Sequence, residues 1–162
     1  MDHTNLTYSD VESLAQEILC QLTRDGWRPD YVVGLTRGGL LPAILISHYL
    51  DVPMETLKVS LRDGQEKEHN LWMPEHAAEG KNILIVDDIN DSGATLSWIK
   101  QDWQDSVARA DWDAIWNDNV RFAVLINNEP SEFKQIDYSA LEINKLEDPR
   151  WVNFPFEEWW KK

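Results

Sequence analysis

Asp87 and Asp88 stand side by side, and Asp91 leads into Ser92, Gly93, Ala94 and Thr95. Small residues in such a turn let backbone N–H groups converge on a phosphate, and the start of a following helix adds a favourable dipole. The Ser and Thr hydroxyls add donors. The acids would surround a bare phosphate with like charge. They make sense for a ligand that also carries hydroxyls, which donate to carboxylates, or a bridging Mg²⁺. A sugar phosphate offers both. The plain alternative is a solvated acidic turn with Ser92 as a helix cap. Two adjacent acids directly after the apolar run Ile83-Leu84-Ile85-Val86 argue against it.

A second loaded segment is Thr36-Arg37-Gly38-Gly39. The glycines permit unusual backbone, and Arg37 presents a two-pronged donor to phosphate or carboxylate. Alone it reads equally as a turn with an exposed Arg. A third is Trp151, ahead of Val152-Asn153-Phe154-Pro155. An aromatic plane there could stack a heterocyclic base, a contact of about 1–3 kcal/mol in base-binding proteins. A C-terminal plug on the core explains it as well. Other chemistries lack their residues. There is no Walker lysine, no G-x-G-x-x-G and no G-x-S-x-G elbow. His3, His48, His69 and His76 do not pair at metal-ligand spacing on one helix face. Cys20 is the single cysteine, so an internal disulfide is excluded.

Hydrophobic periodicity supplies the elements that must hold these segments. Val11, Leu14, Ala15, Ile18, Leu19 and Leu22 form one helical stripe over Tyr8–Arg24, and Gly26 stops it. Tyr31–Leu35 reads as a buried strand, Leu40–Leu50 as a helix and Met54–Ser60 as a short strand. Periodicity fails over 61–80, a stretch long enough to be functional or mobile. Ile83–Val86 lacks alternation, as a parallel strand buried on both faces does. A helix over Thr95–Ala108 and strands at Phe122–Ile126 and Tyr138–Ile143 complete the series. Strands alternating with helices predict an α/β single domain, 1–162, with a mostly parallel twisted sheet flanked by helices. Ligands bind such sheets at the carboxyl ends of the strands. Thr36–Gly39 and Asp87–Thr95 both begin where an apolar strand ends.

The chain has 162 residues, 15 basic and 29 acidic, for a net charge of −14. Such a charge repels phosphate backbones and anionic lipid, so neither nucleic acid nor membrane is an expected partner. The apolar stretch Leu40–Leu50 is too short to span a bilayer. The acidic, polar N-terminus shows no signal peptide, so a cytoplasmic protein is expected.

The run Ile83–Thr95 resembles the phosphoribosyl-pyrophosphate (PRPP) signature of type I phosphoribosyltransferases: an apolar strand, two acids, then Asp-[Ser/Thr]-Gly-x-Thr. Val32–Pro42 resembles that family's pyrophosphate loop. Trp151–Glu157 is similar to the Trp-x-x-x-Pro-[Trp/Phe]-[Asp/Glu] end of its bacterial xanthine-guanine and hypoxanthine members. The resemblance implies that Asp91, Ser92, Gly93, Ala94 and Thr95 hold the 5′-phosphate of PRPP. Asp87 and Asp88 would contact ribose hydroxyls, directly or through Mg²⁺. Thr36, Arg37 and Gly38 would hold pyrophosphate, in the family often across a cis peptide. Asp91 would manage the proton on a purine N7, making Asp87, Asp88 and Asp91 the catalytic acids. Trp151 would stack the base and the Val152 backbone would read its edge. The resemblance further implies a flexible active-site loop at about 61–80, a small C-terminal hood at about 127–160 that binds the base, and a homodimer or homotetramer. Purine members place a Lys just after the strand equivalent to Phe122–Ile126. Here Asn127, Asn128 and Glu129 follow it, and the Asn amides, Asn127 first, would be the donors to the base. The expected activity is transfer of ribose 5-phosphate from PRPP to a nucleobase, most simply a 6-oxopurine, in purine salvage. Two other readings fit the same residues: a non-catalytic sensor of PRPP or nucleotide, and a transferase for a non-purine base.

Overall fold

The computed structural model describes residues 2–59, 67–107 and 112–161. Its backbone runs β1 (His3–Asn5), α1 (Tyr8–Asp25), β2 (Tyr31–Thr36), α2 (Leu40–Leu50), β3 (Met54–Lys58), α3 (Trp72–Ala78), β4 (Ile83–Asn90), α4 (Ala94–Val107), α5 (Trp112–Asn119), β5 (Val120–Asn128), β6 (Tyr138–Ile143) and β7 (Trp151–Asn153), with a short 3₁₀ turn at Trp159–Lys161. Five strands form one sheet in the order β3-β2-β4-β5-β6, and every neighbouring pair is parallel.

Parallel pairing needs helical crossovers on the faces, so the central strands are buried on both sides. Successive residues of β2 and β4 divide between two cores. Tyr31, Val33, Leu35, Ile83 and Ile85 pack with α3, α4 and α5, where Trp103, Trp112 and Trp116 are almost fully buried. Val32, Leu84 and Val86 pack against α1 and α2 through Val11, Ile18, Leu22, Ala43 and Ile46. The α1 stripe is the one its periodicity predicts. A capping box at Thr7 and Asp10 starts the helix, and Gly26 ends it in the left-handed region at φ 69°.

Three features depart from the periodicity. Within the stretch 61–80, residues Trp72–Ala78 are a helix, capped by Asn70 Oδ1 accepting from the Met73 amide and holding Met73, Pro74 and Ala77 against the core. The remainder of that expected loop up to Glu66 lies outside the described residues. The aromatic tail contributes a strand. β7 pairs in parallel with β1, with His3 opposite Trp151 and Asn5 opposite Asn153, so the two ends of the chain close one ribbon. Finally, α5 fills the interval before β5, anchored by Trp112 and Trp116 one helical turn apart. Among the described residues no helix is long and apolar enough to cross a membrane.

Candidate functional site

The carboxyl ends of β2 and β4 open into one cavity of about 1100 Å³, large enough for a nucleotide-sized ligand. Thr36, Arg37 and Gly38 line it from the β2 turn. Asp87, Asp88 and the whole turn Asp91–Thr95 line it from β4. Trp151 and Val152 line it from β7. Parallel β2 and β4 lie side by side, so residues about fifty positions apart in sequence meet there.

The two turns interlock. The Thr36–Arg37 peptide is cis, Gly39 N–H donates to the Leu35 carbonyl at 2.9 Å, and Leu40 N–H to that of Arg37 at 3.1 Å. The Asp88 carboxylate lies so close to Gly38 that a β-carbon there would collide with it. Asp87 Oδ1 accepts from the Asp88 amide at 2.9 Å, and Asp88 Oδ1 from the Ile89 amide at 2.8 Å. These bonds fix both carboxylates at the strand end, facing the cavity. Gly93 adopts φ 89°, where a β-carbon would also strike the backbone of Phe133. The Ser92 hydroxyl accepts from the Ala94 amide at 3.3 Å, so Ser92 does cap its turn. Its turn nevertheless lines the cavity at the head of α4.

Among the described residues no group of three or more His, Cys, Asp or Glu side chains could close around a metal ion. Asp87 and Asp88 offer two carboxylates. That suits Mg²⁺, which keeps several waters and takes its other oxygens from substrate phosphates.

Asn127 is placed elsewhere. Its amide oxygen accepts from Asn90 at 2.8 Å and its nitrogen donates to Glu142 at 2.8 Å, and it does not line the cavity. It belongs to a buried network in which Asn90 also donates to the Phe133 carbonyl and accepts from the Ser131 hydroxyl. Asn128 reaches toward the site: its side-chain nitrogen donates to the Asp91 carbonyl at 3.1 Å, and its oxygen accepts from the Lys145 amide at 3.0 Å. Lys145 is the residue that sequence reasoning missed. Its amine sits 2.9 Å from Asp91 Oδ2 and 5.3 Å from the centre of the Trp151 ring. The one signal was nearness in sequence to Trp151. Lys58, Tyr8, Phe154, Phe156 and Trp160 also line the cavity, with Phe154 and Phe156 stacked 5.5 Å apart just after β7.

Comparison with known proteins identifies the family. Residues 2–161 match the family model described as phosphoribosyl transferase domain. A xanthine-guanine phosphoribosyltransferase of Cereibacter sphaeroides is 41% identical over 99 residues, covering 57% of this chain and 58% of that protein. Xanthine phosphoribosyltransferase 1 of Saccharomyces cerevisiae is 24% identical over 127 residues, covering 64% and 61%. The matches thus span less than two thirds of either relative. The crystal structure of a purine phosphoribosyltransferase from Pyrococcus horikoshii superposes with a TM-score of 0.70 at 25% identity, covering 98% of this chain and 96% of that one.

Proposed function

Because the chain belongs to the phosphoribosyl transferase domain family, we propose that it transfers ribose 5-phosphate from PRPP to a ring nitrogen of a 6-oxopurine, releasing pyrophosphate in purine salvage. One observation carries the reading. A donor-rich turn, a carboxylate pair, an Arg-bearing turn and an aromatic plane, dispersed over the chain, face a single cavity. The names of the relatives, xanthine-guanine and purine, support the choice of base.

In this reading the amides and hydroxyls of Ser92–Thr95 hold the 5′-phosphate at the head of α4, where the helix dipole favours an anion. Asp87 and Asp88 accept hydrogen bonds from the ribose hydroxyls, and would hold Mg²⁺ directly or through water. When bound, that ion neutralises charge on the departing pyrophosphate. Thr36, Arg37 and Gly38 bind the pyrophosphate itself, Arg37 through its paired N–H donors. The base lies on Trp151 with its edge toward the Val152 backbone. The bond from the ribose C1 to the pyrophosphate oxygen breaks with its electron pair going to that oxygen. One imidazole nitrogen of the base forms the new bond to C1 with its lone pair, and the proton on the other, N7, passes toward Asp91. A positively charged sugar on this path is vulnerable to water, and the phenyl and indole groups of the hood keep the base side dry. In this reading the enzyme works in the cytoplasm.

The test is product detection by mass spectrometry after incubation with PRPP, Mg²⁺ and, singly, hypoxanthine, guanine, xanthine, adenine, uracil and orotate. A nucleoside monophosphate from one of the first three is the expected result. Asp87→Asn and Asp88→Asn should each lower kcat/KM at least about 100-fold, the scale of losing transition-state electrostatics, while the melting temperature stays within a few degrees. Equal loss of fold and activity would remove the assigned role. No product from any base, with PRPP still bound, would favour a sensor.

A further inference from the structure

Among the described residues the buried polar side chains are Asn90, Asn128 and Ser131. Burying an amide costs free energy unless its hydrogen bonds are met, and an apolar side chain would serve packing as well. Asn90 and Ser131 satisfy each other, with Asn127 and the Phe133 carbonyl completing the set. Asn128 differs, because its carboxamide joins two segments that no sheet pairing joins. Its nitrogen donates to the Asp91 carbonyl at 3.1 Å and lies 3.4 Å from Asp91 Oδ1, and its oxygen accepts from the Lys145 amide at 3.0 Å. Asp91 opens the turn after β4, and Lys145 lies in the β6–β7 connector six positions before Trp151, with β5 between the two strands. Asn128 is the last residue of β5 and does not itself line the cavity.

Resting on the transfer reading above, we infer that Asn128 is a positioning residue that couples the turn Asp91–Thr95 to the base seat on Trp151. On the turn side, two donors draw successive carbonyls toward the end of β5: Asn128 takes that of Asp91, and the Glu132 amide takes that of Ser92 at 2.9 Å. In a planar trans peptide the C=O and N–H point in opposite directions. Pinning those carbonyls turns the Ser92 and Gly93 amides the other way, as donors to an anion in the cavity must be. On the connector side, the amides of Leu146, Glu147, Asp148 and Arg150 bond within the connector. The Lys145 amide reaches out of it to Asn128, and the Trp151 amide to the Asp2 carbonyl. The connector is a self-bonded unit held at its two ends. A phosphate that orders the turn fixes the Asp91 backbone, the Asn128 amide passes that constraint to the connector, and the Trp151 ring is set before a base arrives. The linkage is reciprocal, so a base on Trp151 tightens phosphate binding by the same factor. The Lys145 amine and the Asp91 carboxylate form a second bridge at 2.9 Å, but both line the cavity, where ligands compete for them. The Asn128 bonds lie behind that lining and persist when the cavity fills.

Ribose 5-phosphate and hypoxanthine are the probes, because without a pyrophosphate leaving group they bind without turnover. Calorimetry on the native protein should show hypoxanthine binding at least about fivefold tighter when ribose 5-phosphate is saturating, the lower end of common coupling strengths. Asn128→Leu cuts both halves of the joint and should bring that factor close to one. Asn128→Asp keeps the acceptor for the Lys145 amide and removes the donor to the Asp91 carbonyl. It should also lose the coupling, with ribose 5-phosphate bound more weakly and hypoxanthine alone bound as in the native protein. A residue that merely supports the fold would weaken each ligand and leave the factor intact. That result would overturn the assignment, and so would a native factor close to one. Melting curves establish that each variant is folded, and Asn128→Asp carries the test if Asn128→Leu is not. A native protein that couples the probes through Asn128 yet makes no nucleotide from PRPP keeps the joint and removes the transfer reading. One that makes nucleotide without coupling does the reverse.

Discussion

Asp88 and Gly38 are the residues at which the two halves of the site touch. The carboxylate fills the space that any side chain at position 38 would need. Gly38→Ala therefore has a mechanical consequence: either the Thr36–Gly39 turn or the Asp88 carboxylate shifts. The expected result is a Kd for PRPP raised at least about tenfold, with a stability loss of roughly 1–2 kcal/mol, the usual range for a local clash. The partner of the clash is identified by a double-mutant cycle on urea unfolding. In an Asp88→Ala background, Gly38→Ala should cost clearly less than it does alone. An equal cost in both backgrounds would place the collision on backbone instead. The residues of this pair were legible in the sequence because each lies in a short, local motif. Lys145 was not, because its place at the cavity depends on where the β6–β7 connector runs. Asn127 stood where the sequence offered a donor, but its amide is consumed by Asn90 and Glu142, partners on β4 and β6 that no local pattern reveals.

The elements that hold the site are anchored at the opposite end of the sheet by a second polar cluster. Asp25 ends α1, and its carboxylate accepts from the Tyr138 hydroxyl of β6 at 2.6 Å and from the Arg121 guanidinium of β5. Arg121 also donates to Tyr138 and lies 4.7 Å from the centre of the Trp27 ring. The Tyr138 hydroxyl, with Arg121 beside it, holds the Asp25 carboxyl below the ordinary value of 3.8. Burial, then the hydrogen bond to Asp25, pushes Tyr138 up to about 12. A carboxyl whose pKa is lower folded than unfolded stabilises the fold above the unfolded value, and that contribution is lost as pH falls through the folded one. Asp25→Asn should therefore flatten the acid side of the stability curve below about pH 4 while leaving the pH 6–8 plateau sloped as before. Urea midpoints measured across that range check it, and an unchanged acid limb would show the clamp contributes nothing. The longer elements were legible because their patterns are long: the α1 stripe repeats over 18 residues, and β4 and β5 carry unbroken apolar runs. The seven residues of α3 include Pro74 and span barely two turns, too short for a period to emerge. β1 and β7 have three residues each and find each other only across the whole chain.

At the scale of the whole molecule the dominant quantity is the net charge of −14. The described ion pairs Arg150–Asp148 and Lys161–Glu158 are exposed and of the kind that contributes little. Repulsion among the surplus carboxylates acts over the whole surface, with a screening length of about 30 Å at 0.01 M salt and about 10 Å at 0.1 M. The first length is comparable to a domain's diameter, so at low salt most of the surplus acids feel one another. The two effects oppose each other: salt weakens the pairs and also weakens the repulsion. With 29 acids against 15 bases, repulsion has more partners. The melting temperature should rise steadily as NaCl goes from 10 mM to 0.5 M, by a few degrees, since about 1 kcal/mol moves a domain of this size by about 2–4 °C. The same charge bears on the proposed ligand, because PRPP is itself an anion and would have to reach a cavity that, among the described residues, is lined by Asp87, Asp88, Asp91, Glu157 and Glu158 as well as three cations. Binding without a divalent cation should therefore be weak at 10 mM salt and tighten as salt screens those acids. Calorimetry at the two salt concentrations, each with and without Mg²⁺, separates the terms. A melting temperature that falls with salt, together with PRPP affinity that weakens, would mean that the local cations Arg37, Lys58 and Lys145 outweigh the global field at the cavity mouth.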